Sequence, residues 1–190
     1  MILLRGLLAG ALLVLGLFAI GGFAAVKTGA IPANADAPPP HIERWAAKTS
    51  LHALLARVPA QSNPLPGTDA NLSAGVKLYG QNCAVCHGDR SARPTNIARG
   101  LYVRAPQLAR FGVEDDPDAV TYWKIAHGLR WTGMPAFGAS LSVRELWQLT
   151  AFLKTMDHLP PGAEKLWRRM RVDVSATAPW PPKISPQTRT

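Results

Sequence analysis

Cys83-Ala84-Val85-Cys86-His87 sets two thiols three positions apart and an imidazole directly after the second. Two thioethers at this spacing can fix the edge of a porphyrin while the imidazole ligates its iron, so the run reads as a c-type haem attachment motif. These are the only two cysteines among 190 residues. A zinc ribbon or knuckle needs four soft ligands and usually a second cysteine pair. A thioredoxin-like dithiol does not require the following histidine and belongs beside a βαβ pattern, which the sequence lacks. The expected cofactor is one covalent haem c.

With His87 as one axial ligand, the iron needs either a second ligand or an open face, and that choice separates electron carriers from haem enzymes. The chain has four methionines: Met1, Met134, Met156 and Met170. Met1 is at the apolar end, Met156 falls on a helical stripe, and Met170 lies among Lys165, Arg168, Arg169 and Arg171. Met134 alone stands in a suitable loop, Thr132-Gly133-Met134-Pro135-Ala136-Phe137-Gly138, where glycines permit tight backbone geometry and proline stiffens the neighbouring residue. His127, before Gly128 at a helix end, is the competing ligand. Met134 is the expected sixth ligand, and a His/Met pair suits one-electron transfer because it leaves no position for substrate.

The elements around these residues are helical. Gly75, Tyr79 and Cys83 are spaced by four, which predicts a helix over about 70–82 with all three on one face. A second helix is expected to open with Asp116 as N-cap and Pro117 at its first position, and to close at Gly128. A third opens at the capping box Ser142-Val143-Arg144-Glu145 and runs to about 157, with Leu146, Leu149, Phe152, Leu153 and Met156 at helical spacing. No stretch between Cys83 and Pro160 alternates long enough for a strand. About 90 residues make only a small core, and a buried haem would add apolar volume.

On the haem motif, the Gly-Met-Pro loop and three helices in order, residues 70–158 resemble a class I monohaem cytochrome c in a membrane-anchored bacterial form. The resemblance implies an all-α fold with long loops around the haem, its first and last helices crossing at a small residue and an aromatic pair. Gly75 and Tyr79 fit one side of that crossing, Leu149 and Phe152 the other. It also implies a proline whose carbonyl accepts the proximal histidine's Nδ1–H, followed by a leucine on the haem face. Ala105-Pro106-Gln107-Leu108 fits this pattern, with Pro94 as a rival. Trp131 could donate its indole N–H to a haem propionate.

The two ends lie outside this resemblance. From Gly6 to Val26 the chain has 21 uncharged, mostly apolar residues between Arg5 and Lys27, enough for a helix to cross a hydrocarbon core of about 30 Å. Residues 1–27 are therefore expected to be a transmembrane anchor, with a long signal peptide cleaved near Ala33 and Ala35 as the alternative. Arg5 favours a cytoplasmic N-terminus, which places the haem domain in the periplasm of a bacterium, tethered to the inner membrane by a single span. Residues 28–69 read as a Pro-rich linker with an amphipathic helix over 41–58, 70–160 as the haem domain, and 161–190 as a basic, Pro-rich tail.

The formal net charge is +9, from 21 Lys and Arg against 12 Asp and Glu. A basic protein outside the cytoplasm suits redox protein partners or anionic lipid, and nucleic acid is not expected. Arg93, Arg99, Arg104, Lys124 and Arg130 are the cations nearest the motifs. Together these features predict a membrane-tethered electron carrier, acting as a shuttle or as the electron-entry subunit of a respiratory or dehydrogenase complex. Two alternatives stay open. One is a haem enzyme or gas sensor with a labile sixth ligand. The other is an assembly subunit using the 41–58 helix and the tail, anchored by Leu166, Trp167 and Met170.

Overall fold

The computed structural model describes residues 2–172, which form eight helices and no strand. They divide into two compact units, one ending at residue 37 and the other beginning at residue 38. In the first, helix α1 (Ile2–Lys27) is long and apolar enough to cross a membrane. Its 26 residues span about 39 Å at 1.5 Å per residue.

The second unit begins with α2 (His41–Leu55) and is built on α3 (Asp69–Asn82), whose N-cap Thr68 accepts the amide N–H of Asn71. α3 crosses α7 (Val143–Lys154) at Gly75. A Cβ there would collide with the carbonyl oxygen of Gln148 and come within 2.7 Å of Phe152 Cβ, so only glycine allows this approach. One turn later Tyr79 meets Phe152 edge to face, with centroids 5.4 Å apart. Leu149 and Phe152 are fully buried, as the helix-crossing pattern implies. α7 starts at the expected capping box: the Ser142 side chain accepts the Glu145 N–H, and the Glu145 carboxylate accepts the Ser142 N–H.

Three expectations are revised. The stretch from 161, expected as a tail, begins instead as helix α8 (Pro161–Arg169). Its Trp167 is buried and sits 5.5 Å from Tyr79 and 5.3 Å from Phe152, completing an aromatic triad. Asp69 accepts the Gly162 and Ala163 amides at 3.0 and 2.7 Å, supplying from α3 the cap that Pro160 cannot. Trp167 is thus buried in the core, Leu166 and Met170 pack half-buried against it, and the packed unit extends beyond residue 160. The rest of that stretch, 173–190, lies outside the described residues.

The second revision concerns α6 (Asp118–His127). Pro117, not Asp116, is its N-cap, because Pro117 is extended at φ −57°, ψ 142°. Asp116 instead pairs with Lys124 at 2.6 Å. The third is that α2 stops at Leu55, short of the expected 58. α6 packs on α7 through Tyr122 stacked on Trp147, centroids 4.3 Å apart. The linker between α2 and α3 is fastened by Asn63, whose backbone N–H donates to Asp118 and whose side chain donates to the Trp147 carbonyl, each at 2.9 Å.

Candidate functional site

The haem motif begins where α3 ends. Cys83 is the C-cap of α3, and the short helix α4 (Ala84–His87) turns His87 away from it before Gly88 breaks the helix at φ 75°. Tyr79 Oη donates to the Gly88 carbonyl at 2.8 Å, so the core aromatic that marks the helix crossing also anchors the motif. Thr95, the N-cap of α5 (Asn96–Gly100), donates from its hydroxyl to the Val85 carbonyl.

The segment 105–108 clamps this motif from the other side. His87 Nδ1–H donates to the Pro106 carbonyl at 2.8 Å, and the Leu108 N–H donates to the His87 carbonyl at 3.3 Å. Gln107 Nε2 donates to the Cys86 carbonyl at 3.2 Å. The first bond fixes ring orientation and tautomer, leaving Nε2 as the free lone pair for a metal. Burial lowers the His87 pKa and the Pro106 bond partly opposes it, so the neutral, ligating form is favoured. Pro94 is exposed and takes no such bond.

The loop bearing Met134 folds back onto the end of α6. Gly128 leaves the helix at φ 65°, and a Cβ there would run into the Met134 carbonyl and the Pro135–Ala136 peptide. Leu129 N–H donates to the Met134 carbonyl at 3.2 Å, Met134 N–H to Thr132 Oγ1 at 3.1 Å, and Phe137 and Gly138 N–H to Ile125 and Ala126 carbonyls at 3.1 and 2.9 Å. These bonds fix the backbone on either side of Met134.

Both halves open on one cavity of about 300 Å³. Cys83, Cys86, His87, Pro106, Leu108 and Met134 all line it, and the rest of its wall is mainly apolar. Cys83 and Cys86 are unpaired thiols; burial pushes Cys83 up to about 12, with a smaller contribution from Cys86, and burial also raises Cys86. The cavity fits a haem in its polar details too. Thr121, on its wall, is 2% exposed, and its hydroxyl has no partner among the described residues, a group that a bound polar ligand would satisfy.

Not every expected residue is brought here. Trp131, at φ 60° and half exposed, is not on the cavity wall. Arg104 and Lys124 are on it, but Arg93, Arg99 and Arg130 are not. His127 is exposed against Trp123, centroids 4.8 Å apart, and does not line the cavity. Sequence reasoning missed Leu51, Gln107 and Thr121. Of these only Thr121 carried a signal, a polar residue four positions before buried Ile125.

Residues 70–153 match the family model described as cytochrome C oxidase, cbb3-type, subunit III. The match supports a class I monohaem cytochrome c domain over this segment. The match spans just under half of the chain and leaves α1, α2 and α8 outside it. A cytochrome c domain implies covalently bound haem c and haem-based electron transfer, and Cys83 and Cys86 are consistent with that attachment. The N-terminal apolar helix of this cytochrome is compatible with a single-pass membrane anchor.

Proposed function

We propose that this chain carries single electrons between protein partners through a haem that His87 and Met134 would hold, while α1 tethers it to the inner membrane of a bacterium and its haem domain works in the periplasm. When bound, a haem would supply reversible Fe(II)/Fe(III) chemistry. The chain's own contribution is positional. Pro106 holds His87 with Nε2 free, the Gly128–Gly138 turn holds Met134 on the same cavity, and the apolar wall limits water. Met134 on the wall shared with His87 is the observation that carries this reading. Filling both axial positions suits a carrier rather than an enzyme. The role within this class is that of a shuttle or of the electron-entry subunit of a respiratory or dehydrogenase complex.

Optical spectra of the native protein, oxidised and reduced, beside a Met134→Ala variant test it. A near-infrared sulfur-to-iron band present in the wild type and lost in the variant is expected, with no carbon monoxide binding by the reduced wild type. Ready carbon monoxide binding, or no such band, would overturn the closed-carrier reading in favour of a sensor or enzyme.

A further inference from the structure

We propose that α2, which lies outside the matched cytochrome domain, is a positioning element of the haem site: it closes one wall of the cavity with Leu51 and is latched there by Tyr102. The proposal rests on the electron-carrier reading above. Leu51 lines the cavity beside Leu101, Val103 and Arg104. Two turns earlier on the same helix, Glu43 accepts a hydrogen bond from Tyr102 Oη at 2.7 Å. Glu43, Ala47, Leu51 and Leu55 recur every four residues, and all four are half-buried, whereas Ile42, Trp45 and Leu54 are exposed. α2 therefore meets the domain along one narrow stripe, and no residue of it is fully buried.

A helix attached so thinly adds little to the core, but its stripe includes Leu51 on the cavity wall. The latch partner belongs to the same loop as Pro106 and Leu108, so α2 is fastened to the segment that orients His87. Excluding water from the cavity disfavours the more highly charged ferric state and raises the reduction potential. Leu51 and Tyr102 thus set how wet the site is without touching the iron.

The test uses the full-length holoprotein in detergent, with Leu51→Gln, Tyr102→Phe and Glu43→Gln variants. Spectroelectrochemical titration gives the potential, and hydrogen exchange reports protection of the α2 amides. Leu51→Gln and Tyr102→Phe are expected to lower the potential and speed α2 exchange. Glu43→Gln, whose amide oxygen still accepts from Tyr102, stays near wild type. Wild-type potential and exchange in both of the first two variants, with the near-infrared band intact, would overturn the wall and leave the carrier reading standing. A shift in Leu51→Gln with wild-type potential and exchange in Tyr102→Phe would overturn the latch and keep the wall. Loss of the band from the wild type itself would instead remove the carrier reading. Leu51, Tyr102 and Glu43 are only half-buried, so all three proteins should fold, which thermal melts verify.

Discussion

Gly75 shows how tightly single residues hold this site. Its missing side chain lets α3 and α7 touch two turns before Cys83 caps α3 and begins the haem motif. Gly75→Ala should destabilise the holoprotein by about 1–3 kcal/mol through overpacking against Gln148 and Phe152, read as a lower midpoint in denaturant. An unchanged midpoint would mean the helices can part without cost. The thiols, His87 and the Gly-Met-Pro loop were legible in the sequence because their chemistry depends on local spacing. Gln107 was not, since its bond to the Cys86 carbonyl spans 21 residues and no periodicity marks it. Trp131, expected as a propionate donor, has a left-handed backbone, is half exposed and does not line the cavity.

Among the elements, α7 was readable from its capping box and stripe, whereas α8 was hidden by its charge. Glu164, Lys165, Arg168 and Arg169 mask a face of only Ala163, Leu166 and Trp167, so a nine-residue core helix looked like a solvated tail. Trp167→Ala should cost about 3–5 kcal/mol, far more than a tail residue could. For the same reason, deleting 161–190 should lower the melting temperature, and an unchanged melt would contradict the aromatic triad. α8 is also pH-sensitive. Burial raises the Glu164 pKa, but hydrogen bonds and charge from Arg90 and Arg168 outweigh it and leave the carboxyl below its ordinary value. A depressed folded pKa stabilises above the unfolded value and loses that contribution as pH falls through the folded one. The stability gap between wild type and Glu164→Gln should therefore be full near neutrality and shrink below about pH 4.3. A gap independent of pH would show that these ion pairs are too solvated to matter.

For the whole molecule, the net charge of +9 bears on encounter more than on folding. Arg104 on the cavity wall puts part of that charge beside the site, while Lys124 on the same wall is paired with Asp116. Electron exchange with an acidic redox protein should slow as ionic strength rises, while exchange with a small neutral reagent should hardly change, as stopped-flow traces would show. Equal salt dependence for both would argue against electrostatic steering. The clasp between Asp69 and the amides of Gly162 and Ala163 joins residues more than ninety positions apart. Ribosomes release a chain from its N-terminus, so every haem-binding residue is made before the helix that closes the core. A chain cut short of Trp167 keeps the ligands but leaves Tyr79 and Phe152 uncovered, an opening that proteases can use to clear unfinished copies.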